Sequence, residues 1–181
     1  MKKDENDLEN IKLEVNYEAL LHFYRTRNSK AMIERIKMYK ELINNIPQTG
    51  KFRFVDEIIK VNTEESRCLV KKHIKKDDFY FEDHFPGNPI MPGCLMIECM
   101  AQSAEVLLLA KSSGNIKFKK AYLVQVKNSN FMEIVGPDSV LYVECRLVHK
   151  IGKLIEIDSS IENESGKLVA TSSMILYAEM E

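Results

Sequence analysis

The sequence predicts an α+β domain in which a curved antiparallel sheet wraps a long buried helix, preceded by a helical extension. Three observations carry the prediction. The stretch from Cys94 to about Lys111 is apolar nearly all round, which is the pattern of a helix covered on most sides. Six strand-like runs flank it, joined by short polar turns, and short turns between successive strands favour antiparallel pairing. The first 46 residues differ in kind, with no glycine or proline from Asn16 to Ile46.

Taken in order, the extension (residues 1–46) carries two apolar stripes at helical spacing. Tyr17, Leu20, Leu21 and Tyr24 make one, and Met32, Ile36, Tyr39 and Ile43 make the other. The polar Arg27-Asn28-Ser29-Lys30 between them reads as a turn, with Ser29 as N-cap of the second helix. Pro47 to Gly50 closes this region and opens the main domain, residues 47–181. Two strand-like runs follow, Phe52 to Val61 and Arg67 to Ile74, across the polar Asn62-Thr63-Glu64-Glu65-Ser66. A loop dense in turn chemistry runs from Lys75 to Gly93, with Pro86-Gly87, Asn88-Pro89 and Pro92-Gly93. After the apolar helix, which Gly114 ends, come four more strand-like runs. They span about Lys117 to Asn128, Val140 to His149, Leu154 to Ile161 and Lys167 to Tyr177. The second of these alternates cleanly, Leu141, Val143, Cys145 and Leu147 against Tyr142, Glu144 and Arg146.

Composition narrows the function. Of 181 residues, 26 are basic and 27 acidic, and the signs are interspersed, whereas a phosphate-binding surface shows a basic excess or stripe. Nucleic acid is therefore not the expected partner. No apolar run reaches the ~20 residues of a membrane span, and the opening Met1-Lys2-Lys3-Asp4-Glu5-Asn6-Asp7 lacks a signal peptide's apolar core. Cys68, Cys94, Cys99 and Cys145 form no CxxC and no metal-like spacing with His22, His73, His84 or His149. A reduced cytoplasmic protein without a metal is expected.

Chemistry is concentrated around the start of the apolar helix. Glu98 interrupts that helix five residues after Gly93, and Gln102 lies one turn further along the same face. A carboxyl group taken out of water must find partners or hold its proton, and in the second case it suits a general acid. The plainer alternative is a glutamate that only satisfies nearby backbone. In the loop, His84 is flanked by Phe85-Pro86-Gly87. Histidine is the residue type whose charge changes near neutral pH, so this one serves either as a base or as an ordinary loop histidine. Gly93 offers a first-turn N–H at the positive end of the helix, with no side chain to obstruct a ligand oxygen, although Pro-Gly is also common punctuation. Base, oxyanion donor and acid together suit loss of water from a 3-hydroxyacyl compound.

The run from Phe81 to Gln102, with His84-Phe85-Pro86-Gly87-Asn88-Pro89-Ile90-Met91-Pro92-Gly93 followed by Glu98-Cys99-Met100-Ala101-Gln102, closely resembles the active-site signature of the β-hydroxyacyl-[acyl carrier protein] dehydratases of type II fatty-acid synthesis. The fourteen positions between His84 and Glu98 match in register. The resemblance is strong over residues 81–102 and extends weakly over about 46–179. It implies the hotdog fold and a homodimer or trimer of dimers. It implies that His84 abstracts the α proton and that Glu98, from the other subunit, helps expel the β hydroxyl. Gly93 would bind the thioester oxygen and Gln102 would orient the acid, with Phe85, Pro92 and Cys94 also lining the substrate site. Glutamate at position 98 resembles the dehydratase branch that does not isomerise. No metal or redox cofactor is implied; the acyl group arrives on a carrier protein's phosphopantetheine arm.

The sequence departs from the family pattern at several points. Gln48 stands where a histidine is usual, Asp83 where a glycine is usual and Glu105 where the residue is normally small. The segment Lys127-Asn128-Ser129-Asn130-Phe131-Met132-Glu133 is poor in arginine, so Lys117, Lys119 and Lys120 are the candidates to receive an acidic carrier, or else a lysine-guarded strand edge. Two other readings stay open: a non-catalytic hotdog subunit that binds acyl chains or a partner, and a hotdog thioesterase.

Overall fold

The computed structural model describes residues 30–112 and 118–180. The stripe on Tyr17, Leu20, Leu21 and Tyr24, the cap at Ser29, and Gly114 and Lys117 lie outside the described residues. The chain divides into two compact units, Met1–Lys40 and Glu41–Glu181. The second helix of the extension is present as α1, Lys30–Asn44. Its stripe is as spaced: Ile36 and Tyr39 are buried, and Met32 and Ile43 are half-buried.

In the second unit a 3-10 turn, Gly50–Phe52, precedes β1 (Glu57–Asn62), β2 (Arg67–Ile74), α2 (Gly93–Lys111), β3 (Phe118–Phe131), β4 (Ser139–Ile151), β5 (Leu154–Asn163) and β6 (Leu168–Met180). The strands form a six-stranded sheet, wholly antiparallel, in the order β1-β2-β4-β5-β6-β3. One expectation needs correction. The strand placed from Phe52 to Val61 begins only at Glu57, because the backbone of Phe52 and Phe54 is engaged by Gln102 from α2 and is not paired in the ladder.

Every residue of α2 from Cys99 to Leu108 is buried, and α2 packs against β2 through β6. This is the all-round apolar helix that the sequence describes. Its 19 residues and mean hydropathy of 1.5 would suffice in length to cross a membrane, but here they form the core helix of the sheet. Each fully buried leucine or valine, such as Leu107 and Val106, contributes roughly 1.5–3 kcal/mol by leaving water. Opposite the helix, one row of small side chains crosses five strands: Cys68, Cys145, Ser159, Ser172 and Ser129 are successive register partners. Their size lets α2 come close, and Cys68 Sγ donates to the Ser103 carbonyl at 3.0 Å. The alternation on β4 holds from Leu141 to Arg146, with Leu141, Val143 and Cys145 fully buried beneath outward Glu144 and Arg146, and ends at Leu147, which is half-buried where the register to β5 shifts.

Candidate active site

The loop between β2 and α2 holds His84 through its backbone on both sides. The His84 N–H donates to the Tyr80 carbonyl at 2.9 Å, and the His84 carbonyl accepts from Ile90 N–H at 2.9 Å. Phe85 and Asn88 exchange backbone hydrogen bonds around a tight reversal, in which Gly87 takes φ +77°, a value that glycine adopts without steric cost. Met91 N–H ties the loop's end to Val135 at 2.8 Å. The imidazole itself is half-buried and stacks on the Phe85 ring, centroids 4.1 Å apart. Its Nδ1 lies 3.0 Å from the Ile90 carbonyl oxygen. A carbonyl only accepts, so Nδ1 carries the hydrogen, and in the neutral ring Nε2 is left as a bare base.

Pro92 caps α2 with φ −60° and ψ 135°, and its carbonyl accepts from Leu95 and Met96. Gly93 is the first helical residue. A Cβ there would meet the Phe131 ring at 3.1–3.3 Å, so a larger residue would push this ring away from the helix start by a few tenths of an ångström. Its N–H and that of Cys94 have no backbone acceptor among the described residues, as first-turn amides do unless a cap or ligand supplies one. Cys94 is exposed, and Phe85 is 52% exposed.

Glu98 finds a partner. Its Oε1 accepts from Gln102 Nε2 at 2.7 Å. Gln102 is fully buried and its amide is engaged at both ends: Nε2 also donates to the Phe52 carbonyl at 2.9 Å, and Oε1 accepts from Phe54 N–H at 2.7 Å. Only one orientation of the carboxamide fits, since Glu98 and Phe52 offer acceptors and Phe54 offers a donor. Next to it, Cys99 Sγ donates to the Phe54 carbonyl at 3.3 Å, and burial pushes its thiol up to about 12, so it stays protonated.

Two of the departures from the family pattern meet in space. Glu105, two turns along α2 from Glu98, is buried, and its carboxyl faces the Gln48 side chain. Oε1 accepts from Ala121 N–H at the start of β3, 3.0 Å away. Burial raises its pKa to about 7 against the opposing pull of the Ala121 amide and Gln48, with the Glu98 charge pushing in the same direction as burial. Glu105 Oε2 and Gln48 Oε1 are both buried without a partner.

Thus the structure joins Glu98 with Gln102, places Gly93 beneath Phe131, and orients His84 from Ile90. Within one chain, no hydrogen bond or ion pair joins His84 to Glu98 among the described residues. Lys119 and Lys120 both face Glu179, at 3.5 and 3.7 Å, which favours the guarded-edge reading. Phe131, Ile90 and the Phe52 and Phe54 backbone escaped the sequence reading. The last three act through main-chain groups, which no residue type advertises; Phe131 had a signal only in standing within the arginine-poor segment at the end of β3. Two surface grooves of about 340 and 620 Å³ lie over Arg67, Glu144 and Ser160. Their lining is mostly outward strand residues, among them the pairs Arg67–Glu144 and Arg146–Asp158, and they hold no residue of the His84 loop or α2.

Comparison with known proteins decides the family. A family model described as a FabA-like domain matches residues 46–172. The chain belongs to the FabA-like family. Among curated relatives of this FabA-like chain, one named 3-hydroxyacyl-[acyl-carrier-protein] dehydratase FabZ from Rickettsia canadensis is 33% identical over 132 residues, covering 73% of this chain and 90% of that protein. A protein of the same name from Lactiplantibacillus plantarum is 38% identical over 108 residues, 60% of this chain and 71% of that one. Among solved structures, the dehydratase heterocomplex ApeI:P from Xenorhabdus doucetiae superposes with a TM-score of 0.62 at 17% identity, over 76% of this chain and 90% of that one. A hypothetical thioesterase with coenzyme A from Streptococcus pneumoniae gives 0.53 at 15%, over 68% and 84%. These likenesses establish the hotdog fold.

Proposed function

We propose that this chain is a (3R)-3-hydroxyacyl-[acyl carrier protein] dehydratase of fatty-acid synthesis, a hydro-lyase giving the trans-2-enoyl thioester. The observation that carries the reading is the His84 imidazole, whose Nδ1–H is committed to the Ile90 carbonyl and whose Nε2 is therefore the proton acceptor. Nε2 takes the proton from C2, and the charge that develops on the thioester oxygen is met by the Gly93 N–H at the positive end of α2. Glu98, aimed by Gln102, gives a proton to the C3 hydroxyl, which leaves as water while the C2–C3 double bond forms. The proton gained by His84 then returns to Glu98 through solvent, and the site is reset. Phe85, Pro92 and Cys94 line the approach to this centre. No metal or redox group enters these steps.

Glu98 serves the His84 of a second copy in a homodimer, alone or as a trimer of dimers. Support comes from the lack of any link between the two within one chain. It also comes from β3, one of the two outer strands of the sheet, which exposes Leu123, Val124 and Val126. The acyl group comes on the phosphopantetheine arm of a carrier protein in the cytoplasm, a setting in which the four free cysteines stay reduced.

The test is conversion of a (3R)-3-hydroxyacyl thioester, on carrier protein or a pantetheine mimic, to the trans-2-enoyl product. His84→Ala and Glu98→Gln should each slow turnover by ~100-fold or more. Wild-type turnover in both variants refutes the roles; release of free thiol without enoyl product refutes the reaction and selects thioester hydrolysis.

A further inference from the structure

Residues 52–56 run alongside α2 outside any ladder, yet they hold the amide on which Glu98 depends. Phe52 and Phe54 present a carbonyl and an N–H to Gln102. What fixes this segment is its far end. Asp56 projects onto β2, where its carboxylate accepts from His73 N–H at 2.7 Å and pairs with Lys72 Nζ at 3.2 Å, and its own N–H donates to the Lys71 carbonyl at 3.0 Å. Lys72 is 6% exposed, an uncommon place for a lysine. Its ammonium lies 5.8 Å from the centroid of the Phe54 ring, so one buried cation grips both Asp56 and Phe54.

These contacts form an unbroken line from Lys72 to Asp56, through Phe54 to Gln102, and on to Glu98. A charge buried at the end of such a line is costly to maintain, and an apolar residue on the inner face of β2, like its neighbours Cys68 and Val70, would pack more simply. The ion pair holds residues 52–56 at a fixed height over α2, and with them the direction in which the Gln102 amide presents Glu98.

We propose that Asp56 and Lys72 are positioning residues for the elimination, acting on Glu98 through the Phe54 backbone and Gln102. This rests on the dehydratase reading above. The experiment is a cycle of Asp56→Asn, Gln102→Ala and the double variant in the whole protein, with kcat and KM followed across pH on a 3-hydroxyacyl thioester. Displacing the acid without touching the substrate site should lower kcat by about 10- to 100-fold with little change in KM. It should also move the limb of the pH–kcat profile that the acid controls. In the Gln102→Ala background the Asp56 change should cost nothing further, because the line is already cut. Lys72→Arg, which keeps the charge, should restore most of the turnover lost in Lys72→Met. If Asp56→Asn fails to fold, Asp56→Glu, which keeps the charge but moves it by one methylene, enters the same cycle. Independent, multiplying losses in kcat, or an Asp56 variant with an unmoved pH profile, overturn the inference while wild-type dehydration stands. A wild-type protein that forms no enoyl product brings down the parent reading instead.

Discussion

Replacing Glu105 by glutamine should make the protein more stable, and by an amount that grows with pH. Glu105 is 2% exposed, and its pKa is raised from the ordinary 4.5 to about 7, first by burial. A carboxyl group with a folded value above its unfolded value keeps, when folded, a proton that the unfolded chain has already lost. Between about pH 4.5 and 7 the folded state therefore binds more protons, and unfolding free energy falls as pH rises through that window, then levels off. At 1.36 kcal/mol per unit the whole fall is about 3 kcal/mol. Glutamine has no proton to lose and keeps an oxygen for Ala121 N–H. Urea unfolding of both proteins at one fixed concentration, from pH 5 to 8.5, is the assay. The difference between them cancels the titration of groups they share. The advantage of Glu105→Gln should be small near pH 5 and approach about 3 kcal/mol above pH 8. An advantage that stays constant over this range, or that shrinks as pH rises, refutes the argument.

Other outcomes follow from the same geometry. Gln102→Ala strands the Phe54 N–H in the interior and removes the partner of the Phe52 carbonyl, and should cost about 1–3 kcal/mol in urea unfolding as well as slowing turnover. Gly93→Ala should lower kcat/KM, because its Cβ meets the Phe131 ring at 3.1 Å, and Phe131→Leu should recover part of the loss in steady-state assays. Gly87→Ala has open space around it, so its penalty, about 1 kcal/mol in thermal or urea unfolding, should come from φ +77° alone.

The fold was legible because its strongest signals are periodic. β2 occupies the run read for it, Arg67–Ile74, and α2 starts one residue before the expected Cys94. The later strands each run a few residues beyond the apolar stretches that marked them, since ladder hydrogen bonds continue into polar ends such as Asn163 and Glu179. The first strand was misplaced at its start because Phe52, Phe54 and Ile58 look alike in a pattern, while only the last belongs to a ladder. At the site, the pairing of Glu98 with Gln102 followed from helical spacing alone. The orientation of His84 did not, because its partner is a carbonyl, and every residue has one. The meeting of Gln48 with Glu105 was equally hidden, since fifty-seven positions separate them and neither forms part of a pattern.

The outermost strand imposes a demand on the cell. β3 is 14 residues long, stands at the rim of the sheet, and shows Tyr122, Leu123, Val124 and Val126 to solvent with few charges among them. A newly made chain in this state is a template onto which any extended polypeptide can add. On the homodimer proposed above, production of this protein is a race between correct association and clumping. Slow synthesis at low temperature should favour the former, and a lysine at Val124 should yield a chain that stays dispersed but no longer assembles.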